Sequence, residues 1–377
     1  MFYKNARIYA SDCKFHHGAF EVTEDGRFGQ VLPDRIPEDA YDLEGATVIP
    51  GLVEVHSHGN SGFDFSDGNY DGLVEMARYY LSCGVTSFAP ASLTQPYDVL
   101  EKAFATARRL VDEAPKGCAR LRGIHMEGPY FSYKMRGAQN PAYLKEPDYE
   151  EFKKLYDGCG GLIRIVDVAP ELAGSADFIR KASKLCTVSV AHTAAGYEQA
   201  KTAFAEGATH LTHLYCAMPT IGFHDPSVIP AAVECPRVRA ELICDGHHVH
   251  PASVRLAFSM FGAERMILVS DSGRCAGMPE GTEFDLGGQM AKVVDGAGRL
   301  VDGKLACSAT NLWQCMVNAI AFGVPEEAVI RACTINPACS LGVQGEVGSI
   351  FPGKMADFVV CSPDYAKKRV YLAGKLV

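Results

Sequence analysis

Thr47-Val48-Ile49-Pro50-Gly51-Leu52-Val53-Glu54-Val55-His56-Ser57-His58 is a mostly apolar run of strand length that ends in two histidines. The pattern recurs down the chain. Apolar runs occupy residues 47–56, 85–90, 121–127, 162–168, 186–192, 208–213, 240–245 and 265–271. Helical periodicity falls between them, as at Tyr70–Ser82, 98–113, Tyr197–Glu206 and 252–261. Wholly apolar strands alternating with helices indicate a parallel sheet buried on both faces. Eight such units in about 250 residues predict an α/β protein of the (β/α)8 barrel type. The competing architecture, an open doubly wound sheet, calls for a glycine-rich phosphate loop after the first strand. None follows residue 56.

The ends of the chain read differently. Short β-type runs at 6–9 and 46–49 surround the turn signal Asp25-Gly26. Runs at 348–350, 357–361 and 369–372 are split by Pro352-Gly353 and Ala373-Gly374. One small β-sandwich domain built from both termini is expected, because chain ends often lie close together. The predicted boundaries are 1–49 and 341–377 for that domain and 50–340 for the barrel. Residues 273–305, rich in Gly and Asp, read as a hairpin-like excursion after strand eight, placed to cover the barrel mouth.

A hydrophobic content of 47% over 377 residues supports one large core with a small appendage. The net charge of −9 argues against binding nucleic acid or an anionic membrane, both of which require a basic surface. The 14 cysteines form no C-x-x-C pair and sit in apolar stretches, as expected of reduced, buried thiols. No run reaches membrane-spanning length and no secretory pattern opens the chain, so a cytoplasmic protein is expected.

Barrel enzymes of this type place their chemistry at the C-terminal ends of the strands. Here those ends carry His56 and His58, Glu127, His192, His213 and Asp271. A single histidine after a strand is more often a packing residue than a ligand, and a single aspartate is more often a helix cap. Five strand ends of one barrel carrying such residues point instead to a common site at the mouth. His56 and His58, two apart on an extended backbone, project to the same side. Mixed imidazole and carboxylate donors suit zinc, iron or manganese better than calcium or magnesium. His210 is expected in the core, and His16 and His17 on the surface. His125 is expected either one layer below the metal or in the core. At least one of His247, His248 and His250 is expected to face substrate.

These residues sit in blocks that resemble the N-acetylglucosamine-6-phosphate deacetylase family of the amidohydrolase superfamily. The blocks are Pro50–Gly59, His125-Met126-Glu127-Gly128-Pro129-Tyr130, Ala191-His192-Thr193, Thr212-His213-Leu214-Tyr215, Asp245-Gly246-His247-His248-Val249-His250-Pro251 and Leu268-Val269-Ser270-Asp271. Asn336-Pro337-Ala338 and Gly353-Lys354-Met355-Ala356-Asp357 close the series. The resemblance implies a TIM-like metal-dependent hydrolase barrel that removes an acetyl group from an amino sugar. It implies one or two divalent transition-metal ions (Zn, Fe or Mn). Glu127, His192 and His213 would hold the first ion; His56 and His58 would hold a second, bridged by Glu127. Asp271 would be the acid/base, and His248, Gln139, Cys216, Ala217 and His224 would meet substrate. It also implies a homodimer acting on a small-molecule N-acetyl amino sugar.

Three of these positions depart from the family pattern. Gln139 replaces a histidine, Cys216 an asparagine, and His224 an arginine that reaches the phosphate of a neighbouring subunit's substrate. A non-phosphorylated N-acyl sugar or N-acyl amine is therefore the alternative substrate. Cleavage of a cyclic amide or deamination of a ring fits less well, because many such enzymes carry a carbamylated lysine where Glu127 stands. A non-catalytic sugar-binding barrel fits poorly with the presence of Asp271 and all five ligand candidates.

Overall fold

The computed structural model describes every residue except Gly287, which falls within the 273–305 excursion. Eight parallel strands form the barrel: Leu52–Glu54, Val85–Phe88, Ile124–Met126, Ile163–Val168, Thr187–Val190, His210–Leu211, Arg239–Ile243 and Met266–Val269. Neighbours pair in parallel from the first strand to the eighth, with register shifts at Leu52/Val53 and Ile124/His125 and an Ala91–His125 bridge joining the second to the third. The Asp271 N–H donates to the His56 carbonyl at 3.0 Å, and the His58 N–H to Ser272 at 2.8 Å, which closes the ring. Helices flank the strands. Tyr70–Ser82 and Tyr197–Glu206 have the predicted bounds, while Tyr97–Glu113 and Pro251–Phe261 each begin one residue earlier than expected.

The first predicted strand is two strands in the structure. Thr47–Pro50 pairs with the terminal strands Phe2–Tyr9 and Phe358–Cys361, and only Leu52–Glu54 belongs to the barrel. Apolar periodicity cannot mark that division, because both halves are buried. Thr47–Pro50 is the centre of an eight-stranded mixed sheet drawn from both termini. Backbone bonds from Phe28 to Lys354 and from Ala356 to Gly26 roll the sheet around its own core. Tyr3, Phe20, Phe28, Phe358 and Tyr371 fill that core, with Tyr3 stacked on Phe20 at 5.1 Å and Tyr371 on Phe358 at 4.4 Å.

Two sequence blocks serve this architecture. Asp357, almost fully buried, accepts from Arg120 at 2.8 Å and from the Ala373 N–H at 2.7 Å, docking the terminal sheet against the barrel. Asn336 donates to the Ala263 and Met266 carbonyls, both at 2.7 Å, and so holds the start of strand eight.

The excursion after strand eight holds four antiparallel strands rather than one hairpin: Glu283–Leu286, Gln289–Val294, Ala297–Leu300 and Leu305–Ser308. It is anchored beside the site, since the Ser308 N–H donates to the Asp271 carbonyl at 3.0 Å. Leu286, Leu305 and Ala306 roof the cleft at the barrel mouth. No helix among the described residues is long and apolar enough to cross a membrane, and all fourteen cysteines are free.

Candidate active site and metal centre

The strand-end residues converge at the mouth on Glu127. Its Oε1 lies 3.2 Å from His192 Nε2, 3.3 Å from His213 Nε2 and 3.5 Å from His56 Nε2. Its Oε2 lies 3.3 Å from His58 Nε2. Asp271 Oδ1 is 3.6 Å from His56 Nε2 and 3.4 Å from His58 Nε2. Two candidate metal-binding triads result, Glu127–His192–His213 and His56–His58–Asp271. Backbone geometry helps to aim the donors: His192, His213 and Asp271 all have positive φ (42°, 31° and 46°). Such conformations are strained for residues with a side chain and cluster at functional sites. Gly128 follows Glu127 at φ 91°, where a Cβ would meet Thr94 Oγ1 at 2.2 Å, so glycine is required there.

The donor set fits a transition metal. His56 Nδ1–H donates to Glu241 at 2.8 Å, His58 Nδ1–H to the Ala91 carbonyl at 3.2 Å, and His192 Nδ1–H to the Met135 carbonyl at 3.0 Å. Each of these rings therefore presents its Nε2 to the centre, the arrangement by which outer partners orient metal-binding histidines. His56 Nε2 is buried with no hydrogen-bond partner. The Nε2 atoms of His192 and His213 lie 3.1 Å apart. An N/O cage of this kind accommodates a divalent ion of the zinc, iron or manganese type. Burial opposes ionisation of Glu127, but His58 and the close approach of His192, His213 and His56 outweigh it and hold the carboxyl well below the usual range. Asp271 is held down in the same way, with burial overcome by His56 and His58.

A cleft of about 130 Å³ opens above these residues. Cys216, Ala217, Gln139 and His248 line it with His58, Glu127, His192, His213 and Asp271. His248 Nδ1–H donates to Asp245 at 2.6 Å, which leaves its Nε2 for the cleft. Burial pushes the Cys216 thiol up to about 12, so it stays protonated. Gln139 is engaged with Glu127: its Nε2 donates to Glu127 Oε2 at 2.5 Å.

His224 does not reach the cleft of its own chain. It sits in an exposed loop beside Phe223, which is fully exposed. Lys134 and Arg136 also lie outside the cleft lining, and Arg136 stacks on Tyr133 at 4.2 Å. His247 is exposed and His250 caps the Pro251–Phe261 helix. His17 is exposed, and His16 pairs with Asp12 at the surface.

Sequence reasoning anticipated His125 and His210 beneath the site or in the core but missed the carboxylates they meet there. Glu241, fully buried, accepts from His56 and His210 and from the His213 N–H at 2.8, 3.0 and 3.2 Å, so it steadies both triads at once. His125 lies in this layer, with Nδ1 2.9 Å from the Val55 carbonyl and Nε2 2.9 Å from Asp167. Burial resists its charge, but Asp167 prevails and raises its pKa. Glu54 accepts from the His56 and Ser270 N–H groups, and burial pushes it up to about 7. The available signal was a carboxylate inside an otherwise mostly apolar strand: Glu54, Asp167 and Glu241. Buried carboxylates are costly unless paired, so each implied a partner inside the barrel.

Residues 47–377 match the amidohydrolase family. The N-acetylglucosamine-6-phosphate deacetylase of Vibrio furnissii is 34% identical over 93% of this chain and 86% of its own length. The N-acetylgalactosamine-6-phosphate deacetylase of Escherichia coli O157:H7 is 31% identical over 93% of each. Among solved structures, a mutant N-acetyl-D-glucosamine-6-phosphate deacetylase from Mycobacterium smegmatis in complex with N-acetyl-D-glucosamine-6-phosphate superposes with a TM-score of 0.93. It is 30% identical, covering all of this chain and 98% of that one. With the barrel, the paired triads and the aspartate after strand eight, these likenesses place the chain in the N-acetylglucosamine-6-phosphate deacetylase family of metal-dependent amidohydrolases.

Proposed function

We propose that this enzyme hydrolyses the acetamide of N-acetylglucosamine 6-phosphate, releasing acetate and the free amino sugar phosphate. The observation that carries the reading is the convergence of Asp271 with His56, His58, Glu127, His192 and His213 under one cleft. Glu127, His192 and His213 would hold one Zn, Fe or Mn ion, and His56 and His58 a second with Glu127 between them. A metal held there supplies Lewis acidity toward an amide carbonyl and lowers the pKa of water. Asp271, ionised near neutrality, takes the proton of the attacking water. It returns that proton to the nitrogen as the carbon–nitrogen bond breaks. His248, fixed by Asp245, offers Nε2 to a sugar hydroxyl. The roof of Leu286 and Leu305 excludes bulk water, which strengthens these polar contacts. The enzyme is read as a cytoplasmic homodimer.

Deacetylation of a non-phosphorylated sugar is the second reading. What favours it is a cleft whose described lining contains no lysine or arginine. In the homodimer, the exposed 219–227 loop would bring His224 of one copy to the cleft of the other. A histidine there lacks the permanently charged fork of arginine. A hydrogen bond to a charged group contributes about 1.5–3 kcal/mol, so preference for the phosphate should be about ten- to a hundredfold weaker than with arginine. The test is kcat/KM for N-acetylglucosamine, its 6-phosphate and their galacto epimers, in wild type and His224→Arg. The 6-phosphate is expected to be turned over best, with His224→Arg widening the margin. A higher kcat/KM for the unphosphorylated sugar would favour the second reading. Inertness toward all four would reject both.

A further inference from the structure

We infer that Gln139 is a positioning residue for Glu127, and that it prepares the site to take up metal instead of contacting the sugar. The inference rests on reading Glu127, His192 and His213 as metal ligands. Gln139 is 6% exposed and both ends of its amide are engaged. The Thr94 N–H donates to its Oε1 at 2.8 Å. A backbone N–H can only donate, so this contact fixes the carbonyl end and leaves no freedom to exchange O for N. The NH2 end must then face Glu127, and it lies 2.5 Å from Oε2.

The consequence is a division of labour within one carboxylate. Oε2, which also faces His58, is pinned by a neutral donor, while Oε1 is turned to His192 and His213. Pinning sets the rotation of the carboxylate before any ion arrives. A freely rotating Glu127 would have to be ordered at the moment of binding, and ordering a side chain opposes binding. Outer partners that orient ligands in this way typically change metal affinity by about 10–100-fold when removed. The position is occupied by histidine in the resembling family, and an imidazole N–H is likewise a donor.

The experiment strips the full-length protein of metal and titrates it with Zn²⁺ alone against a competing chelator. Gln139→Leu removes the donor at similar size. Gln139→Asn keeps the amide but is one methylene too short to span Thr94 and Glu127. Both variants should hold the tighter ion about 10–100-fold more weakly. Their metal-free forms should stay folded but melt somewhat below the wild type, because two buried hydrogen bonds are lost, and KM at saturating metal should stay near wild type. If Gln139→Leu does not fold, Gln139→Asn carries the test. Wild-type zinc affinity in the folded variant, with or without a raised KM, would overturn the inference, and a raised KM would make Gln139 a sugar contact. His192→Ala serves as the control. If it also keeps wild-type affinity, the ligand assignment itself fails; if it loses metal while the Gln139 variants do not, only this inference fails.

Discussion

Asp271→Asn is expected to keep the fold and most of the bound metal while cutting turnover by about 10²–10⁴, the usual cost of losing a proton-transfer group. The upper part of that range is expected, because in the proposed mechanism one carboxylate serves both the attack of water and the departure of the amine. The substitution is close to isosteric, and the backbone of the residue stays held: its N–H still donates to His56, and its carbonyl still accepts from Ser308. What changes is that an amide nitrogen replaces an oxygen 3.4 Å from His58 and 3.6 Å from His56. Steady-state kinetics with parallel metal analysis checks the prediction. Near-normal turnover would show that Asp271 moves no proton. Loss of metal in proportion to loss of turnover would make it a ligand first.

His192→Ala should be at least as damaging, by a different route. The ring supplies one of three donors in the Glu127–His192–His213 triad, is almost fully buried, and stacks on Phe131 at 4.4 Å. With His192 read as a direct ligand, metal affinity should fall beyond the roughly 10–100-fold typical of an outer partner. Turnover should fall with metal occupancy and recover in part with excess metal. Elemental analysis after mild dialysis, set beside activity, checks this. A variant that kept full metal content would place the ion elsewhere.

The barrel was legible because all eight of its strands are buried on both faces and so read as apolar runs broken by helices. The ligand candidates were legible because each interrupts such a run at its end. Three features were not. Pro50 and Gly51 divide a continuous apolar segment between two sheets, and hydrophobicity is the same on either side. The role of Gln139 depends on a loop conformation that brings Thr94 and Glu127 together across the fold, which no local pattern encodes. The position of His224 is likewise a loop property: the sequence places it shortly after His213, but the chain carries it out to an exposed turn. The buried carboxylates fall between these cases. Glu54, Asp167 and Glu241 were visible as carboxylates within apolar runs, but their histidine partners come largely from other strands.

The central claim is that the residues gathered around Glu127 hold a metal that this enzyme uses to deacetylate an amino sugar phosphate. The most direct measurement follows acetate and free amine released from N-acetylglucosamine 6-phosphate by the purified protein, before chelation, after chelation, and after restoring Zn²⁺ or Mn²⁺. The account predicts equimolar acetate and amine, loss of both on chelation, and recovery with added metal. Full turnover by protein shown to be free of metal, or no product from the fully loaded protein, would contradict it.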